Sequence, residues 1–405
     1  MVRKMVRKTA RRTSRLLFSL ALGLGVGLWL MPAVLVPGGA GESGAARAAS
    51  IDTAAPYALL LDTATNTELL AIDPARRIPT ASMSKMMTLY MVFEALADGR
   101  IGLDDTITVS RNASATGGSR MFIEPLSQVT VEDLIRGVAV QSGNDASVAL
   151  AEGLMGSEET FAKAITERAK QLGMTGSTFV NATGLPDPDH YSTPRDLALL
   201  AVRLVEDFPQ YYHYFGELEF THNNITQSNR NPLLFENLGA DGIKTGHTSE
   251  AGYALTATAV RDGRRLVLVI GGLDSTLARS QEARRLIRWG QQEFAIYEPI
   301  PSGMMLGSQS VYLGEAQDVP IITAAPIITT IRLGDQDAYE YVVIAPNYLP
   351  APIKQGQEIG RLEMRRDGAL IASVPVIAGQ AVPRSGVLRR LSQRAQALLR
   401  HLVVH

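Results

Sequence analysis

Three short runs in this sequence carry residue types able to make and break an acyl bond: Ser82-Met83-Ser84-Lys85, Ser142-Gly143-Asn144, and Lys244-Thr245-Gly246 followed by His247. A serine hydroxyl is a weak nucleophile until a base takes its proton. If Ser82 begins a helix, Lys85 lies one turn on and shares its face. Lys85 can be that base only when uncharged near neutral pH; burial, the positive end of the helix and a second cation such as Lys244 would each lower its pKa. Ser142 is suited to relay a proton between Lys85 and a leaving group, Asn144 to bind a substrate amide, and Lys244 to attract a substrate carboxylate. With 244–246 on an edge strand, an extended peptide can pair with them. The backbone N–H groups of Ser82 and His247 are then the expected oxyanion hole.

An S-x-x-K run arises about once by chance in a chain this long, whereas each exact triplet arises only about 0.05 times. The weight therefore lies in all three occurring in this order in suitable surroundings. His247 as the base of a Ser-His-Asp triad is the weaker alternative, because no matching partner pattern accompanies it. The six histidines show no H-x-x-x-H spacing, so neither a metal nor another cofactor is expected.

The elements that must position these groups read as follows. Residues 57–62 form an apolar run of strand length, 63–67 a turn, and 68–72 a returning strand. Residues 82–98 read as a helix whose Met83, Met86, Met87, Tyr90 and Phe93 recur at helical spacing, a stripe suited to core packing. Thr130, with Asp133 three residues on, reads as a cap opening a helix to about Val140. Segments 144–155 and 158–172 continue as helices, and Pro194 opens another through Arg203. Segments 255–260 and 266–270 read as strands joined at Asp262-Gly263, and 282–294 as a helix. The fold class is α+β, a sheet covered by helices. The run 299–303 reads as a linker, and 305–380 as a small all-β domain with no reactive constellation. Ser84 is expected on the helix surface, Glu158 and Glu159 as first-turn acids, and Asp187 and Asp189 as solvated loop residues. Arg195 sits in a helix first turn, poor for a cation on dipole grounds, so a specific contact is one of two even readings.

The ends differ from the body. Residues 1–15 carry seven Arg or Lys and no acid, 16–31 are almost unbroken apolar, and Ala46-Arg47-Ala48 follows. This reads as a secretory signal peptide, 1–48, with an uncleaved anchor as the alternative. Segment 1–48 holds eight basic residues and one acid, so its removal moves the net charge from −1 to −8. A body that acidic is a poor nucleic-acid binder. There are no cysteines, which excludes thiol catalysis and disulfides. Residues 383–405 contain no acid and place Val387, Leu388, Leu391, Ala395, Leu398, Leu399 and Leu402 on one helical face, the pattern of an amphipathic helix lying on an anionic membrane.

The three motifs are the S-x-x-K, S-x-N, K-T-G set of penicillin-binding proteins and class A β-lactamases. The longer runs Ser82-Met83-Ser84-Lys85-Met86-Met87-Thr88, Val140-Gln141-Ser142-Gly143-Asn144-Asp145-Ala146 and Asp241-Gly242-Ile243-Lys244-Thr245-Gly246-His247-Thr248 resemble the D-alanyl-D-alanine carboxypeptidases among the low-molecular-mass penicillin-binding proteins, as do Asn181-Ala182-Thr183-Gly184-Leu185 and Tyr191-Ser192-Thr193. The resemblance spans about 50–300 and implies a β-lactamase/transpeptidase-like catalytic domain, followed by a small all-β domain (301–382) and a C-terminal amphipathic anchor (383–405). It implies Ser82 as the acylated nucleophile, Lys85 as proton acceptor, Ser142 and Asn144 completing the site, and Lys244 recognising substrate, with Thr245, Gly246 and His247 beside it. The implied partners are peptidoglycan stem peptides ending in D-Ala-D-Ala, β-lactam antibiotics as inhibitors, and the inner-membrane surface, at its periplasmic face. One departure stands out: Gly271-Gly272 is followed by Leu273 where some relatives carry arginine, leaving Arg279 as a weak second cation. A β-lactamase lacks support because no E-x-x-L-N run lies between Gly173 and Thr245. A D,D-endopeptidase needs the same site, and a non-catalytic penicillin-binding scaffold is the rival outside enzymes.

Overall fold

The computed structural model describes residues 51–387. The expected signal segment, 1–48, and residues 388–405 of the expected amphipathic helix lie outside the described residues. In chain order the first unit contains β1 (Tyr57–Asp62), β2 (Thr67–Ile72), a 3-10 turn (Ala81–Ser84), α1 (Lys85–Ala97), β3 (Thr106–Thr108), α2 (Arg111–Ala115), β4 (Gln128–Thr130), α3 (Val131–Ala139), α4 (Asn144–Met155), α5 (Glu158–Gln171) and α6 (Pro194–Asp207). It continues through β5 (Glu219–His222), β6 (Ile225–Ser228), β7 (Ala240–Thr248), β8 (Gly252–Arg261), β9 (Arg264–Leu273) and α7 (Thr276–Gln292).

The central sheet runs β2-β1-β9-β8-β7, all antiparallel, with β7 at one edge. Its inner strands are apolar on both faces because both faces are covered. On β1, Leu59 and Leu61 pack with α1, α3 and α4 in one core, while Ala58 and Leu60 pack with Ala283, Leu286 and Ile287 of α7 in another. This explains why 57–62 reads as a continuous run and not an alternation. Local chemistry sets the boundaries. Thr130 accepts from Asp133 N–H at 3.1 Å, as its spacing suggested. Asp262 and Gly263, both at positive φ, turn β8 into β9. The last helix begins six residues before its expected start, because Ser275 accepts from Ala278 N–H at 3.0 Å and caps it.

A second compact unit begins at Ile296, while β10 (Phe294–Ile300) is already under way, so the stretch 299–303 falls at the end of a strand. The unit adds β11 (Met305–Tyr312), β12 (Asp318–Thr323), β13 (Ile327–Arg332), β14 (Tyr339–Ile344), β15 (Leu349–Pro350), β16 (Glu358–Arg366) and β17 (Ala369–Ala378). Six of these form a sheet in the order β14-β16-β17-β12-β11-β15, and β10 pairs with β13. Its core is Val319, Ile321, Leu362, Met364, Val376 and their neighbours. Residues 383–385 remain tied to this unit through the Gly314–Arg384 bridge and the Arg384 side chain, which donates to Ala351 O at 2.8 Å. The expected helix therefore cannot begin at 383. Among the described residues, no helix is long and apolar enough to cross a membrane.

At the closed end of the first sheet, Arg264 Nε donates to the fully buried Asp62 carboxylate at 2.5 Å, and Arg264 Nη1 donates to the Gly290 and Phe294 carbonyls at 3.0 and 2.9 Å. This cross-link joins β1, β9 and the end of α7. Removing one partner leaves the other charge buried. Asp62→Ala is expected to lower unfolding free energy by about 3 kcal/mol, read as a fall in the urea midpoint with an unchanged slope.

Candidate active site

Ser82 sits in the 3-10 turn and not in the α-helix proper. In a 3-10 turn, side chains at i and i+3 eclipse, which sets Lys85 directly against Ser82. The Lys85 Nζ lies 3.0 Å from Ser82 Oγ, 2.7 Å from Asn144 Oδ1 and 2.6 Å from the Thr183 carbonyl oxygen. Lys85 is fully buried. An uncharged amine has two N–H groups and one lone pair. The two closest acceptors take both N–H groups, so the lone pair is left for the Ser82 proton. Burial is the main cause pushing the Lys85 pKa down, to about 7, and Arg230 adds to it, while Asp145 and Glu158 oppose it. Arg230 is a cation the sequence did not point to; Lys244, which it did, also repels Lys85, a mutual interaction that lowers the Lys244 pKa as well.

Each partner of Lys85 is delivered by its own device. The loop 181–185 folds around Asn181, whose Oδ1 accepts from the N–H groups of Thr183 and Gly184 at 3.1 and 2.7 Å. Glu158 accepts from Ala182 N–H at 2.9 Å, and Thr88 donates to Ala182 O at 2.7 Å. Glu158 is therefore more than the first-turn acid expected. Gly184 has φ +80°, and a Cβ there would lie 1.8 Å from the Ala81 carbonyl oxygen. Only glycine lets the loop press onto the Ser82 turn. Asn144 Nδ2 donates to Gly117 O at 2.7 Å, so its amide ties the loop in front of the site to Lys85. Asp145 beside it is fully buried and accepts from the N–H groups of Met121, Phe122 and Ile123. It pins a loop whose residues give no sequence signal of that contact.

Ser142, on the turn before α4, has φ +60°, and its buried hydroxyl has no hydrogen-bond partner among the described residues. Strain and an orphaned hydroxyl together mark a group held ready for something that enters the site. Ser84 corrects the sequence reading: it is fully buried, not on the helix surface. Val180 N–H donates to His190 Nδ1 at 3.2 Å, so Nε2 carries the proton and donates to Ser84 Oγ at 2.6 Å, and Ser84 lies 2.5 Å from Thr80 Oγ1. Burial pushes the His190 pKa down to about 4, so this chain is uncharged at neutral pH.

The opposite wall is β7. Lys244 and Thr245 are buried, and His247 is exposed and stacked on Tyr253 at 4.0 Å between ring centroids. A Cβ on Gly246 would lie 2.8 Å from Thr80 O, so the absent side chain lets β7 close onto the Ser82 turn. Burial holds the Lys244 pKa well below the ordinary lysine range, with Lys85, Arg230 and Arg279 adding to it. Arg279, doubtful from sequence, is buried, donates to Arg230 O at 3.4 Å and lies over the Tyr253 ring. Arg230 gave no sequence signal. It lies between Asn229 and Asn231, both buried, whose amides donate to Glu217 O (2.9 Å) and Gly242 O (2.7 Å), and its own guanidinium donates to Ser119 Oγ at 2.5 Å. Arg195, left open, pairs in two-pronged fashion with Glu68 at 3.0 and 3.2 Å, away from this site. Among the described residues, no group of three or more His, Asp or Glu is placed to hold a metal ion.

Known proteins resemble the chain over both units. Residues 44–275 match the family described as D-alanyl-D-alanine carboxypeptidase, and residues 294–384 match the C-terminal domain of penicillin-binding protein 5. D-alanyl-D-alanine carboxypeptidase DacA of Haemophilus influenzae is 36% identical over 348 residues, covering 84% of this chain and 88% of the relative. DacC of Escherichia coli is 37% identical over 342 residues, 82% of this chain and 85% of the relative. The crystal structure of penicillin-binding protein 5 from Haemophilus influenzae superposes with a TM-score of 0.70 at 35% identity, covering 83% of this chain and 99% of that one.

The depressed Lys85 pKa has a signed consequence. Below about pH 7 the amine is protonated and cannot take the Ser82 proton. Acylation of Ser82 by benzylpenicillin is expected to rise about tenfold per pH unit up to about pH 7 and to level off above it, measured by stopped-flow from pH 5 to 9. The folded state gives up this proton before the unfolded state does, so the same group makes stability rise with pH between about 7 and the ordinary lysine value of 10.5.

Proposed function

The chain belongs to the D-alanyl-D-alanine carboxypeptidase family, serine hydrolases of peptidoglycan that bind β-lactams, and on that premise we propose that its reaction runs through an acyl-ester on Ser82. The observation that carries this is the buried amine of Lys85, its pKa pushed down to about 7, at 3.0 Å from Ser82 Oγ. Lys85 takes the hydroxyl proton as Ser82 Oγ attacks the carbonyl of the penultimate D-alanine. The backbone N–H groups of Ser82 and His247 hold the oxyanion. The proton passes from Lys85 through the Ser142 hydroxyl to the nitrogen of the departing D-alanine, and the C–N bond breaks. Water, deprotonated by the same amine, then releases the shortened stem peptide.

The substrate lies as an added strand along the free edge of β7, beside Thr245, Gly246 and His247. Its terminal carboxylate is held by Lys244 with Arg230 and Arg279, three cations whose mutual repulsion is relieved by an anion. The acids acting on Lys85, Asp145 and Glu158, both hold backbone N–H groups. Neither resembles an acid poised on a water, which supports a long-lived penicillin adduct over β-lactamase turnover. We further assign 1–48 to export and 388–405 to attachment at the periplasmic face of the inner membrane, on the charge and apolar patterns of those segments.

Ser82→Ala is expected to abolish both D-alanine release and the penicillin adduct seen by intact-mass analysis, with an unchanged circular dichroism spectrum. D-alanine release surviving that substitution would refute the mechanism. Arg230→Gln is expected to raise KM for D-alanine release about tenfold and to move the acid limb of the acylation profile to higher pH, because a charge holding Lys85 deprotonated is gone.

A further inference from the structure

The turn that carries Ser82 is held by side chains to which the reaction described above gives no part. Ala81, the residue before the nucleophile, has φ +47°, a left-handed conformation that residues with a Cβ rarely adopt. Such backbone persists only where its surroundings over-determine it. Met83 N–H donates to Thr80 O at 3.1 Å and closes the turn. The Thr80 side chain does not cap it. Thr80 Oγ1 lies instead 2.5 Å from Ser84 Oγ, at the far end of the same turn. The two hydroxyls thus bracket Ala81, Ser82 and Met83.

His190 gives the bracket its direction. With Val180 N–H on Nδ1, the ring proton sits on Nε2 and points at Ser84 Oγ, 2.6 Å away. Among the described residues the other partner of Ser84 Oγ is Thr80 Oγ1, so the Ser84 proton goes there. Thr80, Ser84 and His190 are all buried, and water offers them no substitute partner. The histidine is itself fixed. Thr178 and Tyr191 exchange N–H···O bonds at 2.9 and 3.0 Å, and the Phe179 ring meets the imidazole edge-on at 5.5 Å. Ile78 and Ser192 exchange bonds at 2.8 and 3.1 Å, so the chain is tied to the segment that bears His190 two residues before Thr80. Among the described residues His190 makes no hydrogen bond to Ser82 or Lys85; its link to them runs through two hydroxyls. We propose that His190 is a positioning residue for acylation: through Ser84 and Thr80 it clamps the strained turn so that Ser82 Oγ stays 3.0 Å from the Lys85 amine. The proposal rests on the reading that Ser82 is acylated and names what keeps its hydroxyl aligned.

The test measures three quantities: the limiting rate of Ser82 acylation by benzylpenicillin, the penicillin concentration that gives half of it, and a thermal melt. His190→Leu removes both ring nitrogens. His190→Gln keeps an acceptor for Val180 N–H and a donor for Ser84 Oγ. The limiting rate is expected to fall at least about tenfold in His190→Leu, with the half-rate concentration unchanged, and to be mostly recovered in His190→Gln. Ser84→Ala, which keeps the histidine and loses one hydroxyl, is expected to show the same fall, and it carries the test if His190→Leu does not fold. A role in stability alone would lower the melt and leave the limiting rate of the folded protein where it was. That result overturns the clamp, as does a His190→Gln variant as slow as His190→Leu. If the unaltered chain forms no adduct at Ser82, the acyl-ester reading falls and the clamp with it.

Discussion

The structure turns on holding one amine, Lys85, where burial lets it lose its charge near neutral pH, 3.0 Å from Ser82 Oγ. Water would charge a lysine at neutral pH, so Lys85 is fully buried. Burial alone would leave a polar nitrogen unsatisfied, at a cost of about 1–3 kcal/mol. Asn144 Oδ1 and the Thr183 carbonyl remove that cost by taking the two N–H groups of the uncharged form. A third strong acceptor would favour the ammonium form. The site offers instead a hydroxyl that can turn its proton toward the amine. The same contacts thus set the protonation state and the direction of the lone pair.

Much of the surrounding architecture follows from delivering those contacts from distant parts of the chain. The Thr183 carbonyl arrives on a loop folded by Asn181 and held by Glu158 and Thr88. Asn144 arrives at the start of a helix whose next residue, Asp145, fixes the loop in front. The cationic wall arrives on the edge strand of a sheet buried on both faces, so that strand cannot shift without disturbing two cores. Rigidity around a reacting pair preserves the attack geometry, which is what orientation contributes to catalysis.

What could be read from the sequence was what the chain encodes locally. The strand pair at 57–72, the cap at Thr130, the hairpin at Asp262-Gly263 and the three motifs depend on neighbours within a few residues. The misreadings share the opposite property. Ser84 reads as a surface residue because a polar residue one step before Lys85 has no local reason to be buried; the reason is His190, 106 positions away. Arg230 is one charge in a polar stretch, and it is aimed only because Asn229 and Asn231 are buried on either side. The last helix starts earlier than its apolar spacing indicates because Ser275 caps it, and a lone capping serine is a weaker sequence signal than that spacing. The contact of Asn144 with Gly117 was equally illegible, because a glycine carbonyl has no side chain to announce it.

The empty position at Gly246 limits how this protein can change. Any side chain there would wedge β7 away from the turn that bears Ser82, widening the gap between Ser82 and the cations proposed to hold a carboxylate. Penicillins and stem peptides both need that gap narrow, because both present a carbonyl and a carboxylate at fixed separation. Loosening the strand to escape the drug therefore also releases the metabolite. Variation that separates the two must arise farther along the cleft, where a peptide continues and a small bicyclic inhibitor has already ended.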